Sequence, residues 1–300
     1  MTFNDKLLKA AEKNNSWLCV GLDSDLKKIP RHLGTDPGAV LRFNQLIIES
    51  TSDLVCAYKP NSAFYEPLGP DGMRVLKDTI EMIPDDVPVI LDFKRGDIGN
   101  TAAMYARTAF EYYGVDAATV SPYLGRDSIE PFIDYKDKGV FVLCVTSNRS
   151  SNEIQKRLML LDEPPPIEEI PSRAMAKTLT DFFASSVSNV YMHVAGLARE
   201  WNKFGNIGLV VGATSPLELE KIRELMGEET PILIPGIGAQ GGDLESAVSV
   251  GSNSKGSMAI INVSRGIIYS DDGSSFQDTV RQKAAFYRDA IASISEMKRA

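Results

Sequence analysis

The sequence predicts a single (β/α)8 barrel, and three observations support this prediction. Eight short apolar runs have the length of buried strands, and a helical pattern follows each of them, which implies a parallel sheet with right-handed crossovers. The chain of 300 residues has room for eight such units in one closed barrel. Nearly every predicted strand ends in polar residues, at the edge where such barrels carry their function. An open, doubly wound sheet of the same eight strands is the alternative.

The individual elements follow from hydrophobic periodicity along the chain. The strands are predicted at residues 17–23, 54–61, 87–91, 117–121, 140–145, 207–212, 231–236 and 258–263. The helices are predicted at residues 3–14, 37–52, 72–83, 101–113, 126–135, 173–204, 216–226, 243–250 and 276–297. Between residues 149 and 172 the periodicity fails, and three consecutive prolines mark an irregular insertion after the fifth strand. The predicted domain organisation is therefore one barrel over residues 1–300 with this insertion.

Composition and charge exclude several classes of protein. The net charge of -8 argues against a nucleic-acid-binding surface. All three cysteines lie inside apolar runs, as core residues of a protein in a reducing compartment do. Two histidines are too few to favour a zinc site or acid–base chemistry by histidine. The sequence has no apolar run of membrane-spanning length and no signal-peptide pattern at its start. We therefore expect a cytoplasmic protein with no nucleic-acid or membrane partner.

The most informative stretch directly follows the third strand. Side chains on a strand alternate between faces, so Asp92 and Lys94 point the same way, while Asp97 follows beyond the strand. This Asp-x-Lys-x-x-Asp pattern predicts an anion, a cation and a second anion at one place. A lysine between two carboxylates stays protonated, which suits it to stabilise an anion or to donate a proton. The alternative is an ordinary ion-pair network at a strand end.

A glycine-rich stretch follows the seventh strand. Gly236, Gly238 and Gly241 match the dinucleotide-binding spacing, but the acid expected at the end of the next strand is missing. The loop still suits a phosphate, because free backbone N–H groups at a helix start bind anions. Arg265, after the eighth strand, adds a forked donor where barrels bind phosphate. The alternative is a flexible turn beside a surface arginine.

The other polar strand ends are less specific by themselves. Asp23 and Lys59 would form an ordinary ion pair at the barrel mouth, and Thr146 with Ser147 would cap the chain as it leaves the fifth strand. His193 lies on an apolar helical stretch and is assigned to the core or to an interface. These residues gain a function only from the motif that accompanies them.

That motif resembles a known family signature. The residues from Asp92 to Thr101 read Asp-Phe-Lys-Arg-Gly-Asp-Ile-Gly-Asn-Thr, and the signature of the orotidine 5'-phosphate decarboxylases is Asp-x-Lys-x-x-Asp-Ile-x-x-Thr. Every fixed position is present. The related 3-keto-gulonate-phosphate decarboxylases and hexulose-phosphate synthases share the Asp-x-Lys-x-x-Asp part but do not usually carry the Ile and the Thr. The insertion at residues 149–172 resembles the longer, type 2-like subfamily of the decarboxylases.

The resemblance implies conversion of orotidine 5'-monophosphate (OMP) to UMP and CO2 in de novo pyrimidine synthesis, with no metal and no organic cofactor. It implies a homodimer in which Asp97, Ile98 and Thr101 reach into the partner's site. The implied catalytic residues are Lys94, Asp92, Asp97 and Lys59, and the implied substrate-binding residues are Asp23, Asn61, Ile98, Thr101, Ser147, Pro235, Gln240 and Arg265. A magnesium-dependent sugar-phosphate lyase or aldolase of the same superfamily, or a non-catalytic nucleotide-binding barrel, is the alternative function.

The implied roles differ from residue to residue. Lys94 would stabilise the C6 carbanion and then protonate it, and Gln240 with Arg265 would hold the phosphate. Ser147, in preference to Thr146, would bind the pyrimidine edge. The sequence reads Ser264-Arg265-Gly266 where many relatives have Gly-Arg-Ser, which affects the backbone contact before the arginine but not the arginine itself.

Overall fold

The computed structural model describes residues 1–162, 174–238, 241–270 and 275–299. Eight parallel strands form one sheet, and two short antiparallel strands form a separate two-stranded sheet. In chain order, the strands are β1 Leu18–Leu22, β2 Ala57–Pro60, β3 Ile90–Arg95, β4 Ala117–Val120, β5 Gly139–Val145, β6 Leu158–Leu160, β7 Val187–Asn189, β8 Ile207–Val211, β9 Ile232–Pro235 and β10 Ala259–Val263.

The eight-stranded sheet closes into a barrel. Its order is β2-β1-β10-β9-β8-β5-β4-β3, so β2 and β3 lie at its two ends. These two strands meet through the parallel bridges Tyr58–Val89 and Asn61–Asp92. The barrel prediction is therefore confirmed, and the open doubly wound alternative is wrong. All eight predicted strands are present, and β6 and β7 lie outside the barrel.

Helices surround the barrel and cover its apolar outer face. In chain order they are α1 Phe3–Lys13, α2 Pro37–Thr51, α3 Gly69–Glu81, α4 Gly99–Arg107, α5 Glu130–Ile133, α6 Met175–Ser186, α7 Val190–Trp201, α8 Pro216–Met226, α9 Leu244–Gly251, α10 Arg265–Ile268 and α11 Phe276–Arg299. At the N-terminal end of the barrel, Phe3 of α1 packs edge-on against Phe141 of β5. The opposite end, where the strands finish, is left for the polar residues.

The predicted helix over residues 173–204 is wrong in its middle. The chain forms α6, then the short strand β7, which pairs with β6, and then α7. Small polar side chains explain the interruption, because they compete with helical backbone hydrogen bonds. Ser186 donates to the Asp162 carboxylate, and Asn189 donates its side-chain amide to the carbonyl of Lys156. Residues 163–172 of the predicted insertion, and residue 173 of the predicted helix, lie outside the described residues.

Two further helices differ from the prediction in length or form. The helix expected over residues 126–135 is a 3-10 turn at Arg126–Ser128 followed by the four-residue α5. Pro131, in the first turn of α5, has no backbone N–H to extend a helix toward the preceding residues. The helix expected over residues 101–113 begins at Gly99 and ends in a turn of π-helix, Thr108–Tyr112.

No helix in the described parts of the chain is long and apolar enough to cross a membrane.

Candidate active site

A cavity of about 410 Å³ opens at the C-terminal ends of the barrel strands. The strand ends bring together residues that lie far apart in the sequence, as the barrel architecture predicts. Eight of the predicted site residues line the cavity: Asp23, Lys59, Asn61, Asp92, Lys94, Ser147, Pro235 and Arg265.

Two lysines share one carboxylate at the centre of this cavity. Lys59 Nζ lies 2.8 Å from Asp92 Oδ2, and Lys94 Nζ lies 2.5 Å from Asp92 Oδ1. Asp23 Oδ1 lies 3.9 Å from the Lys59 ammonium on the side of β1. The side chains of Lys59 and Asp92 are almost completely buried, whereas that of Lys94 is 45% exposed. Lys94 is thus anchored on one side and accessible from the cavity on the other.

Burial and charge act in opposite directions on the buried pair. Burial disfavours the charged form of Lys59, but the carboxylates of Asp92 and Asp23 outweigh it and raise the pKa of the lysine above its ordinary value. Burial likewise disfavours the Asp92 carboxylate, but Lys59 and Lys94 outweigh it and hold the pKa of Asp92 well below its usual range. Both groups are therefore charged at neutral pH.

The backbone of β3 changes course at the same place. Lys94 has a φ of +47°, a left-handed conformation that residues other than glycine rarely adopt. The register between β3 and β4 shifts between Leu91 and Arg95. Gly96 then passes so close to the carbonyl of Ser121 that a Cβ atom would lie 2.5 Å from its oxygen. The irregular strand end directs Lys94 toward the cavity and leads the chain away from it.

One wall of the cavity comes from the end of β5. The hydroxyl of Thr146 is occupied by Asn148 and by the amide of Gln155. Ser147 instead lines the cavity and donates at 3.3 Å to the carbonyl of Pro235. Both residues lie near the cavity, but Ser147 has the freer hydroxyl.

The loop after β9 and the start of α10 form the wall next to it. Gly236, Gly238 and Gly241 have φ angles of +103°, +74° and +81°, which residues other than glycine rarely adopt. Arg265 lines the cavity as the first residue of α10. The predicted residue Gln240 lies outside the described residues. A glycine-rich loop facing a guanidinium group is an arrangement that suits a phosphate.

Two polar atoms of cavity residues have no hydrogen-bond partner. Among the described residues, four buried side-chain oxygens lack a partner, and two of them are Asp23 Oδ1 and Ser264 Oγ. Buried polar atoms are nearly always hydrogen-bonded, so these two oxygens are exceptions at the wall of the cavity. The unpartnered atoms lie at the ends of the neighbouring strands β1 and β10.

Three predicted residues lie apart from this cavity within one chain. Asp97 accepts a hydrogen bond from the N–H of Ile98 and forms no ion pair with any described residue. Ile98 and Thr101 are exposed, and Ile98 retains 62% of its surface. The expectation that Asp92, Lys94 and Asp97 converge at one place is therefore not met within a single subunit. The glycine-bearing turn carries Asp97 outward.

The cavity also contains residues that the sequence analysis did not select. They are Thr119, Leu143, Asn148, Val210, Leu233, Ile237, Asn262 and Ser264. Thr119 and Asn262 lie within strands and not at their ends, so a search of strand ends missed them. The alternation of side chains along β4 and β10 could have found them, because these two are the polar residues at inward positions. Leu143, Val210, Leu233 and Ile237 give the cavity an apolar floor.

No group of three or more His, Cys, Asp or Glu side chains among the described residues could hold a metal ion. The chemistry that the site itself supplies is electrostatic. It offers a half-exposed ammonium beside a fixed carboxylate, and an anion-binding wall on the other side.

Comparison with known proteins gives a consistent result. The family model described as "Orotidine 5'-phosphate decarboxylase / HUMPS family" matches residues 16–275. The chain is 46% identical over 283 residues to the orotidine 5'-phosphate decarboxylase of Herpetosiphon aurantiacus, which covers 94% of this chain and 95% of that protein. It is 46% identical over 291 residues to the protein of the same name from Dehalococcoides mccartyi, with 97% of each covered. Its fold matches that of Leishmania donovani OMP decarboxylase with a TM-score of 0.79 and 36% identity, over 99% of this chain and 100% of the other.

The buried ion pair predicts a characteristic dependence of stability on pH. The folded-state pKa of Asp92 is lowered, so its contribution is complete above the unfolded pKa of about 4 and is lost as pH falls. The folded-state pKa of Lys59 is raised, so its contribution is complete below the unfolded pKa of about 10 and is lost as pH rises. The free energy of unfolding of the wild type, minus that of the double variant Lys59→Met, Asp92→Asn, should be constant between about pH 5 and 9 and fall on both sides.

Denaturant titrations at a series of pH values measure this difference. The double variant Lys13→Met, Asp86→Asn removes an ion pair whose side chains are 65% and 52% exposed, and it is the matched control with a much flatter pH profile. A difference for the buried pair that does not change with pH would contradict the assignment of opposite charges to Lys59 and Asp92.

Proposed function

This chain belongs to the orotidine 5'-phosphate decarboxylase family, and we propose that Lys94 is the residue through which it converts OMP to UMP and CO2. The enzyme is a carboxy-lyase of pyrimidine biosynthesis. The observation that carries the proposed residue roles is the shared carboxylate, with Lys94 held at 2.5 Å from Asp92 while its side chain stays 45% exposed. Lys94 is thereby oriented by Asp92 and accessible to a substrate.

The proposed mechanism follows from these charges. Loss of CO2 from C6 leaves a poorly delocalised carbanion, so stabilising that charge lowers the barrier most. The Lys94 ammonium provides a preorganised positive charge beside the carbanion and then donates a proton to C6. Asp92 holds the ammonium in place, and Lys59 balances the charge of Asp92 from the buried side.

The rest of the substrate is held by the other walls of the cavity. Asp23 and Asn61 form hydrogen bonds with the ribose hydroxyls. Ser147 binds the pyrimidine edge. Arg265 and the backbone around Pro235 hold the phosphate, together with Gln240. Binding energy from the phosphate, remote from C6, is then available to lower the barrier of the chemical step.

We further propose a homodimer in which each subunit completes its partner's site with Asp97, Ile98 and Thr101. Asp97 makes no ion pair within its own described chain, although it belongs to the motif. The surface beside it is apolar, because Ile98, Met104, Tyr123 and Leu124 are between 46% and 83% exposed. Exposed apolar residues grouped around a functional site are typical of an interface.

The cytoplasmic location expected from the three buried cysteines also remains a proposal.

Replacement of Lys94 tests its role most simply. Lys94→Ala should lower kcat by at least about 10⁴-fold, because both the stabilising charge and the proton donor are lost. UMP binding and the melting temperature should change little, since the Lys94 side chain is half-exposed. Lys283→Ala, at an exposed position on α11, is the control and should leave kcat unchanged. A kcat within tenfold of the wild type in Lys94→Ala would refute this assignment.

Replacement of Arg265 tests the phosphate site. Arg265→Ala should reduce kcat/KM for OMP by about 2–5 kcal/mol of transition-state stabilisation, by analogy with buried charge pairs. The nucleoside orotidine has no phosphate and should be decarboxylated equally slowly by the wild type and the variant. Comparison of the two substrates in both proteins measures the effect. Equal losses for OMP and for orotidine would show that Arg265 acts elsewhere.

Subunit mixing tests the shared site. Lys94→Ala and Asp97→Ala homodimers should both be inactive, but a mixed dimer contains one site with both defects and one site with none. Random exchange of equal amounts should therefore restore about a quarter of the wild-type activity, because half of the dimers are mixed. Subunit exchange is measured independently by mixing Lys94→Ala with wild-type protein that has a tag of different size, because dimers of mixed size then form. Complete exchange without recovered activity would show that Asp97 serves its own subunit.

A further inference from the structure

Thr119 on β4 makes three hydrogen bonds to β3 at the point where the catalytic residues leave the strand. Its hydroxyl donates to Asp92 Oδ1 at 3.0 Å and accepts from the N–H groups of Phe93 and Lys94, both at 3.1 Å. A threonine hydroxyl has one proton and two lone pairs, so these bonds use its full capacity. Thr119 is 1% exposed, so water cannot replace these hydrogen-bond partners.

The two backbone bonds occur where the sheet is irregular. The β3–β4 pairing is regular up to Leu91 and resumes at Arg95, with a shift of register between them. The N–H groups of Phe93 and Lys94 fall in this interval, and the Thr119 side chain accepts from both. Lys94 adopts its left-handed φ of +47° in the same interval. The side chain of Thr119 thus replaces the backbone acceptors that a regular strand would have supplied.

The third bond acts on the carboxylate that anchors Lys94. Asp92 Oδ1 receives the Thr119 hydroxyl at 3.0 Å and the Lys94 ammonium at 2.5 Å, while Oδ2 receives the Lys59 ammonium. Without the hydroxyl, the carboxylate could rotate about its Cβ–Cγ bond toward either ammonium. The same hydroxyl therefore fixes both the backbone of Lys94 and the direction of its ion pair.

We propose that Thr119 is a positioning residue for the decarboxylation, acting through Lys94 and Asp92 without contacting the reacting atoms. This inference rests on the proposed role of Lys94 and deepens it. The position of the ammonium relative to C6 is set by a neighbouring strand as well as by β3 itself. A displacement of about 1 Å in a reacting group can cost on the order of 100-fold in rate.

Replacement of Thr119 by valine removes the hydroxyl and keeps the shape. Thr119→Val should lower kcat by about 10- to 100-fold while KM for OMP and Kd for UMP stay within about threefold, because the groups that grip the substrate are unchanged. Thr119→Ser retains the hydroxyl and should keep kcat within about threefold. The matched control is Thr79→Val, which removes another fully buried threonine hydroxyl, one that is bonded to Asn44 away from the cavity. It should lower stability without lowering kcat.

The outcomes separate positioning from packing. A wild-type kcat in Thr119→Val, or an equal loss in Thr119→Ser, would overturn the proposal, as would a rise in KM that accounts for the loss. Thr119→Cys, close in size with a weak donor, replaces the valine variant if that variant does not fold, and the same loss is expected. A crystal structure of the valine or cysteine variant gives a readout independent of turnover. We expect Lys94 to leave its positive φ or Asp92 to rotate, and retention of both would also overturn the proposal, whether or not the wild type decarboxylates OMP.

Discussion

The ion pair between Lys59 and Asp92 lies at the seam where the barrel closes. β2 and β3 are the two ends of the strand order, and one of the two bridges that join them pairs Asn61 with Asp92. Two buried charges are costly to remove from water, and only close contacts with opposite charges and hydrogen bonds offset that cost. The two end strands of the sheet are thus joined beside the carboxylate that binds Lys94. Closure of the fold and assembly of the site depend on the same interaction.

This constraint explains why the site has a rigid and an accessible half. Lys59 holds Oδ2 of Asp92 from the buried side, and Thr119 on the neighbouring strand holds Oδ1, the oxygen that also binds Lys94 at the cavity. The remaining motif residues leave the barrel through a turn, and within one subunit Asp97 is half-buried while Ile98 and Thr101 are exposed. A charge network that is complete on its buried side and open on its outer side suits completion by a second subunit. The structure of the strand end therefore connects the chemistry to the proposed dimer.

Sequence reasoning predicted those features that follow from repeating patterns. Eight buried strands have apolar runs of the right length, and a parallel barrel brings their ends together, so eight site residues could be placed in one cavity from the letters alone. The helix expected over residues 173–204 is wrong in its middle, because small polar residues weaken the helix there and pairing with the distant β6 stabilises the strand β7. The alternation along β4 could have placed Thr119 in the cavity, but it could not have predicted its role. Its hydrogen bonds are to a neighbouring strand, and its role depends on an irregularity in β3 that no local pattern shows.

We propose that the charged side chains of this site decarboxylate OMP without a metal ion, and an absorbance assay of OMP consumption with and without EDTA tests this mechanism. We expect the same rate with and without EDTA, and one UMP and one CO2 formed for each OMP consumed. Absence of OMP consumption, or an activity that EDTA abolishes and magnesium restores, would contradict the proposed mechanism.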